Sequence, residues 1–350
     1  MTLQTPAFSV LMPMRDAASF LRIAIESVQN QTFKNWELLI ADNGSRDHSV
    51  KIAEDCARKD SRIRILNCSG SSLSNVRNRL LSESRADFVA WLDSDDVAEP
   101  QRLEQQKGYL EQNPDCVIVG TDVIVIDPDG DIIRYEAVQY DHDEILNQLM
   151  SLQSKGIFFP ASAGRRQAIL DVGGLNTKFR CAEDIDLFLR LAEKGRLANL
   201  PIALTRYRWR TDNLSWSESD DCNLGFRLAV QDARTRKGLD GIPLTPADIG
   251  RSHTMTKSGI YYVWAKAALQ AGQSGTARKY AAKSIWGEPL SGQSWRCFAL
   301  SLFPLANDSH RTGFSKRVRQ FCVSAIRRIL FMVAAVCDRI QGLRRLSHSN

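Results

Sequence analysis

The most constrained chemistry in this sequence belongs to four consecutive residues, Asp93-Ser94-Asp95-Asp96. Hard divalent cations such as Mg²⁺ or Mn²⁺ take oxygen ligands, commonly one or two carboxylates plus the phosphates of a substrate, and a D-x-D segment supplies such carboxylates. As bare text the segment is weak, because acids equally suit solvated loops and helix starts. Its position reverses that preference. It follows the apolar run DFVAWL (87–92), and ligands of open α/β sheets sit outside the carboxyl ends of the strands.

Other residues at corresponding places add to it. Asp42 closes the run WELLIADN (36–43), where a carboxylate can accept from a base edge or ribose hydroxyl, or can serve an Asx-turn. Asp16, in the loop after Pro13, carries the same pair of readings. Arg77, in SNVRN, fits either a bidentate contact to a diphosphate or a surface salt bridge. Glu183-Asp184 opens a helical pattern after the Gly173-Gly174 turn. Acids there complement the helix dipole, and they could also act as a general base toward a hydroxyl.

These residues need a scaffold that brings strand ends together. From residue 7 to about 96, strand-length apolar runs (8–13, 36–43, 62–67, 87–92) alternate with helical periodicity, the pattern of β-α-β units and a largely parallel sheet. Ala18, Leu21, Ala24, Ile25 and Val28 fall on one face of the first helix. A cap at Asp47 or Ser49 starts the second, which bears Val50, Ala53, Cys56 and Ala57. Past residue 114, DCVIVGTDVIVID and DIIRYEAV flank Asp127-Pro128-Asp129-Gly130 as a hairpin, so the sheet becomes mixed. FFPASAGRRQAILDVGGL reads as a small-residue loop, EDIDLFLRLAEKG as a helix, and LANLPIALTRYRW as the last strand. From about 222 onward only helices are expected, at 224–237, 256–271, 276–286 and 315–345.

In order and interval, F-S-V-L-M-P with Asp16, W-E-L-L-I-A-D-N-G-S-x-D, R-N-R-L, F-V-A-W-L-D-S-D-D, G-G-L and E-D-I-D-L-F-L-R-L closely resemble the family-2 glycosyltransferases. The resemblance covers about residues 7–215. It implies a GT-A fold, α/β and Rossmann-like, with a mixed but mostly parallel sheet flanked by helices. The glycosyltransferase domain would be 1–221, with a nucleotide-binding half of about 1–114 and an acceptor half of about 115–221, and 222–350 would be a helical C-terminal extension. It further implies a hexosyltransferase-type enzyme that moves a sugar, with inversion, from a nucleotide-diphospho-sugar, most often UDP-linked. The acceptor would be a glycan or lipid-linked hydroxyl in cell-surface polysaccharide or lipopolysaccharide synthesis.

Carried over by position, Asp42 matches the residue that recognises the base, Asp93 the one near ribose and metal, and Asp95 the principal ligand of Mn²⁺ or Mg²⁺. Asp184 matches the catalytic base, with Glu183 as the neighbouring candidate. Pro13, Asp16, Asp42, Gly44, Arg77, Asp93 and Arg210 are the implied donor contacts. The family often has Y-R-x-H, whereas this chain has Tyr207-Arg208-Trp209-Arg210. Arginine offers only donors, so Arg210 cannot coordinate a cation but can clamp a departing diphosphate.

Two rival readings remain at this level. A sugar nucleotidyltransferase would carry a Gly-rich loop with a basic residue after the first strand, which PMRDAASF lacks. A nucleotide-sugar-binding relative without catalysis would not need the acids at 93, 95 and 184. The eight cysteines form no C-x-x-C pair, and the N-terminus shows no export pattern, so reduced thiols and a cytoplasmic location are expected. Residues 311–345 hold nine basic side chains against Asp338, on a chain whose net charge is only +6. That basic, partly apolar segment suits peripheral contact with an anionic membrane, a helix docked on the catalytic domain, or nucleic acid, in that order, so membrane contact without nucleic acid is expected.

Overall fold

Strand β1 (Phe8–Met14) sends alternate side chains to two different layers, with Leu11 in one and Val10 and Met12 in the other. Strand β2 (Trp36–Asp42) does the same with Leu39 and Ala41 against Leu38 and Ile40. A strand buried on both faces reads as a continuous apolar run, which is why periodicity alone marked these segments. The computed structural model describes residues 5–151, 156–179, 181–213, 219–239 and 255–302.

Strands β3 (Ile63–Asn67), β2, β1 and β4 (Phe88–Trp91) lie side by side and parallel. One layer is covered by α1 (Leu21–Gln29) and α2 (Ser49–Ala57), the other by α3 (Leu73–Glu83) and α7 (Glu183–Leu191). Beyond β4 the sheet is mixed, in the order β4-β8-β6-β9-β5, where β5 is Val97–Ala98, β6 Cys116–Ile126, β8 Ala163–Arg165 and β9 Arg196–Arg208. β6 and β9 are parallel, and β8 is antiparallel to both β4 and β6. The expected hairpin is present, since β7 (Ile132–Glu136) pairs with β6 across a turn in which Gly130 has φ of +90°. Helices α4 (Arg102–Gln112), α5 (His142–Met150) and α6 (Arg166–Asp171) complete this part.

Three expectations are corrected by the fold. Helix α1 begins at Leu21, so Ala18 precedes it and the buried alanine of the preceding loop is Ala17. The segment read as a small-residue loop contains β8, which joins the two halves of the sheet. Three residues are too few to show a strand period, and Gly164 is there because a Cβ would lie 2.8 Å from the Val117 carbonyl. Finally, helix α8 (Ser219–Arg236) spans the position where the extension was expected to begin, yet Ala229, Val230 and Ala233 belong to the same core as Ile185 and Leu189 of α7.

The chain divides into two compact units, residues 1–128 with 135–254, and residues 129–134 with 255–350. In the second, α9 (Lys257–Gln270) and α10 (Ser274–Gly287) pack through Trp264, Tyr280 and alanines, followed by α11 (Gly292–Ser301). The first two were expected from the sequence. α11 was not, because its opening turn, Gly292-Gln293-Ser294, has no apolar residue. The expected helix 315–345 lies outside the described residues. Among the described residues no helix is long and apolar enough to cross a membrane, and Cys56, Cys68, Cys116 and Cys297 are free thiols.

Candidate active site

The parallel strands β1, β2 and β4 end together, and their following loops are laced to one another. Asn43 N–H donates to the Met14 carbonyl at 2.9 Å. Asp16, with φ of +49°, donates from its N–H to Ser45 Oγ and accepts from Arg46 N–H at 2.7 Å. Asp42 accepts from Ser45 N–H at 3.0 Å, and Gly44, with φ of +79°, makes the turn between them. Asp47 caps α2 by accepting from Ser49 N–H and reaches across to accept from Ala18 N–H. Pro13 is buried in β1 opposite Ala41. Asp16, Asp42 and Gly44 therefore form one connected rim, with the turn-forming reading of Asp42 realised in its bond to Ser45.

The acidic cluster starts one residue beyond Leu92 and is folded into a tight turn, with Asp96 N–H donating to the Asp93 carbonyl at 3.1 Å. Asp96 is 1% exposed; its Oδ1 accepts from Arg208 N–H at 2.8 Å, while its buried Oδ2 has no hydrogen-bond partner. Burial, then Asp95 and Asp93, hold its carboxyl well above the usual carboxylate range. Burial and the Asp93 charge likewise push Asp95 up to about 6, against the opposing pull of Arg210. Close acids in a poorly hydrated place accumulate negative charge that a cation would relieve.

Arg77, read from the sequence as a diphosphate contact or a surface salt bridge, is held in the structure by two carboxylates. Its guanidinium is 6% exposed and lies over the Phe159 ring at 4.4 Å. Nη2 donates to Asp93 Oδ1 at 3.2 Å and Nη1 to Glu183 Oε1 at 2.5 Å. Burial alone would weaken its hold on its proton, but Asp93, Glu183 and Asp184 raise the guanidinium above its ordinary value. Glu183 is thus buried and paired. The adjoining Asp184 is less buried, and its Oδ1 accepts from the Ile185 N–H beside it at 2.9 Å. Ala182, with φ of +68°, turns the chain into α7 immediately before this pair.

Strand β9 closes the other side. Arg208 is buried, donating to the carbonyls of Asp95, Asp127 and Pro128, and stacks over Phe20 at 4.7 Å. Arg210 donates to Asp95 Oδ2 at 3.3 Å and in a fork to Asp212. The sum of these carboxylates outweighs burial and raises the Arg210 guanidinium. Burial first, then Asp96, Asp93, Asp95 and Asp184, raises the Tyr207 phenol. The sequence assigns no role to Tyr207 or Arg208 and counts Asp96 only as a member of the acidic cluster, and nothing in it marks Phe20 as the platform for Arg208.

Among the described residues no three His, Cys, Asp or Glu side chains converge as a metal-ligand set. What is present fits a smaller demand. Mg²⁺ and Mn²⁺ sites at phosphate substrates commonly use one or two carboxylates with substrate oxygens and water. Asp95 and Asp93 would be the two at such a site, and the crowding of carboxylates at Asp95 and Asp96 suits a cation beside them.

Residues 9–174 match the model of glycosyl transferase family 2. EpsE of Bacillus subtilis, a protein assigned as a glycosyltransferase, is 33% identical over 214 residues, covering 59% of this chain and 74% of EpsE. The O-antigen biosynthesis glycosyltransferase WbnJ of Escherichia coli is 28% identical over 222 residues, covering 63% and 79%. The crystal structure of S. aureus TarS 1–349 superposes with a TM-score of 0.52 at 16% identity, covering 87% of this chain and 93% of that one, a likeness of fold. With this sheet order, its flanking helices and these relatives, the chain belongs to glycosyl transferase family 2 and is a glycosyltransferase of GT-A fold.

Proposed function

We propose that the protein transfers a sugar, with inversion at the anomeric carbon, from a UDP-linked donor to a hydroxyl of a glycan or lipid-linked acceptor during cell-surface polysaccharide synthesis. The observation that carries this reading is the Arg77 bridge, in which one buried guanidinium donates to Asp93 at the strand end and to Glu183 beside Asp184, residues from two distant parts of the chain. WbnJ is named for O-antigen biosynthesis, and TarS has been crystallised with UDP-GlcNAc, which supports the acceptor class and the donor nucleotide.

In this reading Asp42, Asp16 and Gly44, with Pro13 beneath them, receive the nucleoside, and Asp93 lies toward the ribose. Asp95 and Asp93 would hold Mn²⁺ or Mg²⁺, whose chemistry is neutralisation of charge on the diphosphate oxygens. Asp184 takes the proton of the acceptor hydroxyl while that oxygen bonds to the anomeric carbon. The bond from that carbon to the diphosphate oxygen breaks, and the nucleoside diphosphate leaves with the electron pair. Arg210 stabilises the charge of that leaving group. Glu183, buried against Arg77, positions Asp184 and does not act as the base. The enzyme works at the cytoplasmic face of the membrane, with the basic segment 314–345 as one contact.

Thermal unfolding with a panel of nucleotide sugars, with and without Mn²⁺ or Mg²⁺, tests the donor assignment, because a ligand of the native state alone raises apparent stability. A UDP-linked compound should give the largest metal-dependent rise. A rise given equally by unrelated nucleotides, or by none, would refute it.

A further inference from the structure

Helix α10 ends in a surface that neither the fold nor the transfer reaction uses. Trp286 is 91% exposed and Leu290 is 68% exposed, and every residue from Trp286 to Leu290 faces solvent. A corner that exposes a tryptophan so fully is expected to collapse onto the nearest apolar surface unless the backbone holds it out. Here it is held. Glu288 N–H donates to the Ser284 carbonyl at 2.9 Å and Ser291 N–H to the Glu288 carbonyl at 3.0 Å. Thr256 Oγ1 donates to Glu288 Oε1 at 2.8 Å, and Trp295 Nε1 donates to the Pro289 carbonyl at 2.9 Å.

The unit that carries this corner has a net positive charge. Lys283, exposed and one helical turn before Trp286, leans its ammonium over the Tyr280 ring at 4.9 Å. Over the described residues of this unit, 129–134 with 255–302, there are seven basic side chains against Asp129, Asp131 and Glu288; Lys279 pairs with the two aspartates and Thr256 binds Glu288. Over residues 255–350 the sequence has fifteen basic and three acidic side chains, a net +12, whereas residues 1–254 carry a net −6. Tryptophan and leucine projecting from a basic surface have the composition of a helix that lies at a lipid interface: the indole partitions to the headgroup region and lysines are drawn to anionic lipid.

We infer that the Trp286–Leu290 corner is a membrane-insertion wedge, and that the partner it fits is the surface of an anionic bilayer. A second protein would bring apolar area broad enough to cover the corner but would have no need of the surrounding positive charge. The wedge is separate from segment 314–345 and adds to its attraction. It concerns docking alone and stands whether or not the sugar-transfer reading holds.

The test uses the full chain and vesicles of phosphatidylcholine, with and without phosphatidylglycerol. Trp286→Ser combined with Leu290→Ser should lower partitioning onto the anionic vesicles by at least about tenfold, the factor expected for one large apolar side chain denied burial. Trp286→Phe, which keeps an apolar ring, should retain most of the binding. Unfolding temperature and nucleotide binding should be unchanged in all three proteins. Brominated lipid should quench wild-type tryptophan fluorescence more than that of Trp286→Phe. Equal partitioning of the double variant and wild type would overturn the inference and leave the basic segment as the sole contact. Absence of wild-type binding would overturn it too, as would a dimer in sedimentation velocity that only the double variant loses.

Discussion

Arg77 and Glu183, 106 residues apart in sequence, share a hydrogen bond of 2.5 Å in a place closed to solvent, and the same guanidinium reaches Asp93. One side chain of α3 thereby ties the end of strand β4 to the first residue of α7. The distance from the donor acids to Asp184 is fixed through this link. A planar fork can serve two carboxylates at once, while an ammonium on a flexible stem cannot hold the same geometry.

Arg77→Lys should therefore lower kcat by about 100-fold, the cost of a displacement of roughly 1 Å at a reacting group. Binding of UDP with Mn²⁺, measured by calorimetry, should weaken by less than about threefold, because positioning rather than ligand contact is lost. The opposite split, with UDP affinity lost and kcat kept, would return Arg77 to the diphosphate contact that the sequence suggested. Arg77→Ala should cost about 3–5 kcal/mol in denaturant unfolding, since it strands the buried carboxylate of Glu183.

Arg210 stands where the family often has histidine, and its contact with Asp95 puts a fixed positive charge beside the proposed metal ligand. Arg210→Ala should reduce kcat/KM by about 100-fold through lost stabilisation of the leaving group. Arg210→His should recover part of that rate while shifting half-saturation to lower Mn²⁺ concentration. Unchanged rate and metal dependence in both variants would remove Arg210 from the site.

Gly225 of α8 packs against the turn that presents Asp184. A Cβ there would lie 2.6 Å from the Cys181 carbonyl, which cannot move without disturbing Ala182. Gly225→Ala should lose about 1–3 kcal/mol of stability by overpacking and reduce kcat while leaving UDP binding intact. A variant as stable and active as wild type would show that the turn has slack.

Acid sensitivity is expected from Glu37 on β2, a residue away from the site. Burial would raise its pKa, but hydrogen bonds from Arg85 and Ser9 outweigh that and hold it below its ordinary value. With the folded pKa depressed, its stabilising contribution is full above the unfolded value near 4.5 and is lost as pH falls through the folded value. Glu37→Gln should cost roughly 1–3 kcal/mol at neutral pH and flatten the loss of stability below about pH 4.5. An acid limb as steep as that of wild type would assign the effect elsewhere.

The strand ends were legible because β1, β2 and β4 are buried on both faces, so their apolar runs stop where solvent and the acids begin. Asp42 and Asp93 could be placed for that reason. Arg77 could not: its sequence neighbours give no sign that Asp93 and Glu183 close over it from other elements. Strand β8 stayed hidden because Ala163-Gly164-Arg165 is too short to show a period, and its place depends on fitting against Val117. The roles of Tyr207 and Asp96 came from burial, a property of the packed state alone.

The central claim is that Asp184 removes the acceptor proton from a donor held by the strand-end acids. Steady-state transfer by Asp184→Asn, measured beside calorimetric UDP binding in the same preparation, tests it most directly. The account predicts UDP affinity within about threefold of wild type and a kcat lowered by about 10²–10⁴, the range that a general base contributes. Transfer at near wild-type rate by a variant that binds UDP normally would contradict it.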